Sequence, residues 1–181
     1  MKVNAIHFRW AWTTAAALLC FAVLVVVDLK LKSESGYGAV DLQKGMTAGA
    51  FQIVIAAWSS PRHAAMAGFG LGFDYLFMPL YGLAFYYGTL AARDAFARNL
   101  GLFRRLLTLI AAVPLAGAVF DAAENALETN MLFNGPTDLM ALYAYTATTA
   151  KFVCFYIGLG MSFLGVIGLF RRKRAEEAVG E

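Results

Sequence analysis

The chain has 181 residues, of which 60% are hydrophobic and 15% are charged, and its mean hydropathy is +0.62. Soluble domains contain about 45–50% apolar and about 25% charged residues, so this composition predicts an integral membrane protein. The formal net charge is only +3, and the basic residues lie at the ends of apolar segments. A nucleic-acid partner is therefore not expected.

Four long apolar segments occur in the chain, and each is close to the roughly 20 residues that a spanning helix needs. They predict an all-α integral membrane protein with four transmembrane helices in an antiparallel bundle. The chain is expected to form one polytopic domain, residues 1–181. The predicted helices are approximately residues 10–28, 62–92, 104–128 and 139–170. The first is interpreted as a retained helix, because no small-residue cleavage site follows it.

The segment between the first two predicted spans is apolar in its second half but too short to cross a membrane. It predicts a short interfacial helix over approximately residues 41–58, with Trp58 at headgroup depth. Pro61 suits the first turn of the second span, where its missing N–H costs nothing. Pro79 and Pro114 fall inside spans and are expected to kink them.

Lys and Arg in short loops predict the orientation of the helices. Arginines occur between the second and third spans and at the start of the third, at Arg93, Arg98, Arg104 and Arg105, and an RRKR run begins at Arg171. With Lys2 and Arg9 near the start of the chain, these residues predict that both termini are cytoplasmic. The expected location is a bacterial inner (plasma) membrane.

Charged side chains interrupt the predicted spans at nearly the same depth. A helix rises about 1.5 Å per residue. Each of these side chains therefore lies about 24–30 Å along its helix from the basic residue at the cytoplasmic end. These residues are Asp28, Asp74, Asp121, Glu124 and Lys151. In a hydrocarbon core about 30 Å thick, they form a charged layer near the outer leaflet.

The third predicted helix carries Asp121, Glu124, Asn125 and Glu128 at i, i+3, i+4 and i+7, which is one helix face. This face should point into the bundle, because a charge facing lipid costs about 2.5–3.5 kcal/mol. Lys151 is the available counter-charge, and threonine hydroxyls flank it in the sequence. The predicted ligand- or ion-binding residues are Asp74, Asp121, Glu124, Asn125 and Lys151.

One ammonium facing three carboxylates leaves an excess of negative charge. Either a carboxyl stays protonated, or something positive binds there. Glu128 and Asp28 are expected to reach the lipid headgroups. The small-residue patterns at 68–72 and 158–165 are expected to be helix-packing surfaces.

Three functions fit this pattern. The first is a polar site that binds or transports a cation, a proton or a small amphipathic ligand. The second is a structural or accessory subunit whose charged network only sets helix packing. The third is an acid–base enzyme acting on a lipid-soluble substrate, with one of the carboxyls as acid or base.

Other chemistry has little support in the sequence. Cys20 and Cys154 lie within apolar runs, His7 and His63 are far apart, and HExxH and GxSxG motifs are absent. Neither a metal nor another cofactor is therefore expected. The lipid bilayer is the expected partner, and homo- and hetero-oligomers both stay open. The predicted topology resembles that of sterol isomerases and sigma-2-type proteins, and no residue or activity is carried over from them.

Overall fold

The computed structural model describes residues 5–97 and 100–179, with side chains described as far as Arg171. This part of the chain consists of helices joined by short turns and loops and contains no β-strand, which confirms the all-α prediction. The helices are α1 (Ala5–Ser35), α2 (Ala39–Gln43), α3 (Ala48–Ala57), α4 (Pro61–Phe96), α5 (Gly101–Ile110), α6 (Val113–Asn134) and α7 (Asp138–Val179).

Three helical stretches of the described residues are long and apolar enough to cross a membrane: Ala5–Ser35, Gly101–Asn134 and Asp138–Arg171. They support the prediction of a membrane protein. Helix α4 contains the second predicted span and has 36 residues, but it is not among the three. Its glycines, its tyrosines and Asp74 lower its hydropathy.

Prolines divide the helices differently from the sequence prediction. Pro114 lies inside the stretch Gly101–Asn134, as expected, but the helix is interrupted there: α5 ends at Ile110, and Pro114 lies in the first turn of α6. The reason is steric, because the ring of Pro114 conflicts with the carbonyl four residues earlier, that of Ile110. Pro61 begins α4 as expected, and Pro79 lies inside α4.

The segment predicted as one helix over residues 41–58 is instead two helices, α2 and α3. Helix α3 starts afresh because the Thr47 side chain caps it, accepting a hydrogen bond from Ala50 N at 3.3 Å. The depth of Trp58 in the membrane stays a prediction, but its side chain lies inside the protein. Its side chain is 2% exposed, and its indole N–H donates to the carbonyl of Tyr37 at 3.0 Å.

Contacts divide the chain into two compact units. Unit one consists of residues 1–17, 79–118 and 152–181, and unit two of residues 18–78 and 119–151. Helices α1, α4, α6 and α7 each contribute residues to both units. That the chain is a single domain stays a prediction.

Unit two has an apolar core to which α2 and α3 contribute. The buried residues of this core are Leu31, Leu42, Phe51, Val54, Trp58, Ala67, Met131, Ala141 and Ala144. Polar contacts fix the short helices, since Asp28 Oδ1 accepts from Ala39 N at 2.6 Å and Asp138 Oδ1 from Ala48 N at 2.7 Å. Asp28 thus holds the start of α2 in place, a role that the sequence did not predict.

Small residues allow close helix packing in unit one but not along residues 68–72. A Cβ at Gly165 would lie 2.7 Å from the carbonyl oxygen of Gly88, so two backbones meet there. Gly68, Gly70 and Gly72 instead have open space around them in the described structure, which contradicts their predicted packing role. The buried face of α4 follows the spacing of Ala67, Leu71 and Met78, and these glycines fall outside it.

Candidate functional site

The polar face of α6 is buried in unit two, as the sequence predicted. Asp121, Asn125 and Glu128 are 4%, 1% and 1% exposed, and Glu124 is fully buried. Their spacing of three, four and seven residues places them on one side of the helix. In a soluble protein the apolar face of a helix is usually buried. In α6 the polar face is buried instead, and apolar residues such as Val119 are exposed.

Lys151 from α7 is the counter-charge of this face. Its Nζ lies 2.9 Å from Asp121 Oδ1 and 2.7 Å from Glu124 Oε2, and its side chain is 9% exposed. Both contacts have the length of strong charge-assisted hydrogen bonds. One ammonium therefore holds two buried carboxylates of α6.

Asp74 joins the site through an amide. The side-chain amide of Asn125 donates to Asp74 Oδ2 at 2.9 Å and to the carbonyl of Leu71 at 3.2 Å. The carboxyl of Asp74 also interacts electrostatically with that of Asp121. The structure thus brings together all five residues that the sequence singled out. That they bind a ligand stays a prediction.

Glu128 is the member of the site that sequence reasoning missed. It was expected to reach the headgroups, but it is buried inside unit two. Within the described part of the chain, neither of its carboxyl oxygens has a hydrogen-bond partner. Its carboxyl lies near enough to Glu124, Lys151, Asp121 and Asp74 to interact with them electrostatically. The i+7 spacing from Asp121 was the signal that could have identified it.

We call the four carboxylates, Asn125 and Lys151 the acidic cluster; its carboxylates are Asp74, Asp121, Glu124 and Glu128. Asp74 is its least buried member and is only half-buried. The neighbouring Tyr75 is 45% exposed, and its hydroxyl donates to the carbonyl of Ala122 at 3.3 Å. The cluster therefore approaches the protein surface at Asp74 and Tyr75.

The threonines near Lys151 contribute less than their sequence position suggested. The hydroxyls of Thr146, Thr148 and Thr149 donate to carbonyls one turn earlier in α7, at 2.8, 2.9 and 3.0 Å. Only Thr148 is buried, and its side chain also faces Glu124. Thr148 is thus the one hydroxyl of the three beside the acidic cluster.

The acidic cluster has an unbalanced charge. If all four carboxyls were ionised, they would carry four negative charges against the single positive charge of Lys151. No group of three or more His, Cys, Asp or Glu side chains suited to a metal ion occurs among the described residues. A bound proton or a small cation would reduce this imbalance.

Comparison with known proteins gives no relative for this chain. No family model, no curated protein and no solved structure matches it. The geometry of the acidic cluster is therefore the basis for a functional proposal.

Proposed function

We propose that this chain is a membrane protein with four spanning helices in an antiparallel bundle, and that its acidic cluster binds a proton or a small monovalent cation. The proposed spans are α1, α4, α5 with α6, and α7. In this arrangement the loop rich in arginine and both termini are cytoplasmic, in a bacterial inner membrane. The polar cluster then lies towards the outer leaflet.

The observation that carries the proposal is the state of Glu128. Its side chain is 1% exposed and, among the described residues, has no hydrogen-bond donor facing it. Burying an ionised carboxylate costs several kcal/mol unless it is paired and hydrogen-bonded. Glu128 must therefore be neutralised by a bound proton, or by a cation close to its oxygens.

One added positive charge would compensate Glu128, and the fully ionised cluster would still carry a net negative charge. Lys151 contacts Asp121 and Glu124, and the amide of Asn125 donates to Asp74. Asp74 is also half-buried, so water can solvate part of its charge. Glu128 is left as a buried carboxyl with no hydrogen-bond partner among the described residues, and one proton or one monovalent cation at its oxygens would neutralise it.

The competing function is a packing device, and one observation favours it. Lys151 connects α7 to α6, and Asn125 connects α6 to the carbonyl of Leu71 in α4. These contacts specify how three helices pack without any ligand. They leave Glu128 unexplained, because a carboxyl without a partner adds nothing to packing.

The two functions differ in how the protein responds to cations and pH. We expect thermal stability of the purified protein in a neutral detergent to rise with Na⁺ or K⁺ at high pH, relative to a bulky organic cation. Lowering the pH should give the same gain, because protons would replace the cation. Glu128→Gln should abolish both responses and unfold at a higher temperature than wild type at high pH.

Glu34→Gln is the matched control, because it removes a carboxylate from an ion pair with Arg62 at the surface. It should retain both responses. If wild type and Glu128→Gln gave parallel stability curves against pH, and no small cation shifted either, the cluster would be a packing device.

A further inference from the structure

Unit two has a groove of about 400 Å³ between α1 and α4. Its lining residues are Val26, Val27 and Lys30 from α1, and Arg62, Ala65, Met66 and Phe69 from α4. This volume is in the range of ordinary small-molecule sites. The groove shares no residue with the acidic cluster.

The lining residues follow helical spacing on both walls. On α4, Arg62, Ala65, Met66 and Phe69 are separated by three, four and seven residues, and they extend about 10 Å along the helix. On α1, Lys30 lies three to four residues beyond the two valines. The two walls therefore form a continuous apolar groove along the helices.

The two basic residues, Lys30 and Arg62, lie at one end of this groove. Lys30 is near the end of α1, and Arg62 is the second residue of α4, so both are at helix ends that connect through α2 and α3. The apolar residues continue from there towards Val26 and Phe69. A ligand that fits this pattern has an anionic head and an apolar tail.

The positive charge of the groove is only partly neutralised. Arg62 forms an ion pair with Glu34 Oε1 at 2.8 Å, and His63 Nε2 lies 3.6 Å from the other oxygen of Glu34. Lys30 is exposed and forms no ion pair with any described residue. An anionic group placed between Lys30 and Arg62 would meet a net positive field.

We infer that this α1–α4 groove binds a phospholipid with an anionic headgroup, the phosphate lying between Lys30 and Arg62 and an acyl chain lying along Ala65 and Phe69. Since lipid tails gain little by leaving other lipid tails, the selectivity comes from the headgroup. A cation near an anionic lipid contributes about 1 kcal/mol, so two cations predict about a 5- to 30-fold preference over a zwitterionic lipid.

The test uses the full-length protein in a neutral detergent, with phosphatidylglycerol and phosphatidylcholine of the same acyl chains titrated separately. Binding is measured by native mass spectrometry and by quenching from a spin-labelled acyl chain. Wild type should bind phosphatidylglycerol about 5- to 30-fold more tightly. Inorganic phosphate should not displace it, because the phosphate alone makes no contact with the apolar groove.

Two pairs of variants separate the groove from the rest of the surface. Lys30→Gln should reduce the preference about fivefold, whereas Lys44→Gln, which removes an exposed lysine outside the groove, should not change it. Ala65→Phe should fill the groove and abolish quenching, whereas Ala64→Phe, at the next exposed position, should not. Ala64 and Ala65 are both exposed, so both variants should fold.

Equal binding of the two lipids by wild type would overturn the proposal. So would equal effects of the two members of either pair, or displacement of the lipid by inorganic phosphate. A change of oligomeric state in Ala65→Phe, with lipid binding unchanged, would show that a second copy of the chain occupies this surface instead.

Discussion

Replacing Lys151 by methionine tests whether the acidic cluster is as tightly coupled as its distances indicate. Methionine keeps much of the length and apolar volume of the side chain but removes the charge. The Nζ contacts to Asp121 at 2.9 Å and to Glu124 at 2.7 Å are then lost. Both carboxylates remain buried, at 4% and 0% exposed.

The expected loss of stability follows from two independent considerations. Removing one partner of a buried ion pair usually costs about 3–5 kcal/mol. A released carboxylate can also take up a proton. Starting from an unperturbed pKa near 4, three pH units at about 1.4 kcal/mol each give about 4 kcal/mol at pH 7. Since protonation limits the penalty, Lys151→Met should cost about 3–5 kcal/mol at pH 7.

The same reasoning predicts a pH dependence. The penalty should fall by about 1.4 kcal/mol per pH unit for each carboxylate that takes up a proton, as the pH is lowered from 7 to 5. The measurement is the free energy of unfolding in mixed detergent micelles at several pH values. Lys44→Met, which removes an exposed lysine, is the control and should cost less than about 0.5 kcal/mol at every pH.

Double substitutions show which carboxylate bears the coupling. Lys151→Met combined with Asp121→Asn or Glu124→Gln should recover about 1–3 kcal/mol of the sum of the single losses. Additive losses in both double variants would refute the coupling, as would a Lys151→Met penalty that does not change between pH 5 and pH 7.

Three further predictions concern other parts of the molecule. Gly165→Ala should destabilise the protein by about 1–3 kcal/mol in thermal or detergent unfolding, because the new Cβ would lie 2.7 Å from the Gly88 carbonyl oxygen. The control is Gly160→Ala, which lies in open space on the same helix and should be neutral or slightly stabilising. The backbone N–H of Gly38 and the ammonium of Lys32 hold the pKa of Asp41 below its ordinary value. Asp41→Asn should therefore destabilise the protein above about pH 4, and this difference should disappear as the pH falls through the pKa of Asp41 in the folded protein. A cysteine at the exposed Ser33 should react with an impermeant thiol reagent added to the outside of intact cells; labelling only after the cells are broken would contradict the proposed orientation.

The membrane character and most helix positions were predictable, because both depend on local composition and periodicity. Residues 10–28 and 139–170 lie within α1 and α7. The break at residues 111–112 was missed, because in a purely apolar run Pro114 alone does not show whether a helix kinks or restarts. The restart is a steric consequence of the ring against one specific carbonyl.

The residues of the candidate site, and the burial of most of them, were predictable from the sequence, but the burial of Glu128 was not. The i, i+3, i+4 and i+7 pattern correctly placed Asp121, Glu124 and Asn125 on one buried face. Depth along a helix suggested that Glu128 reaches water, whereas tertiary packing encloses it. The apolar core contributed by α2 and α3, with Trp58 inside it, is a long-range feature of unit two that local patterns do not encode.

The most direct test of the central claim is infrared spectroscopy of the purified protein at neutral pH, since a protonated carboxyl has a carbonyl stretch that an ionised one lacks. Without small cations, the wild-type protein should show this band, and Glu128→Gln should lose it while Glu34→Gln keeps it. Adding a cation that binds the cluster should reduce the band as the proton is released. Absence of the band in wild type, with no effect of any small cation on its stability, would contradict the proposal that Glu128 is held neutral by a proton or a cation.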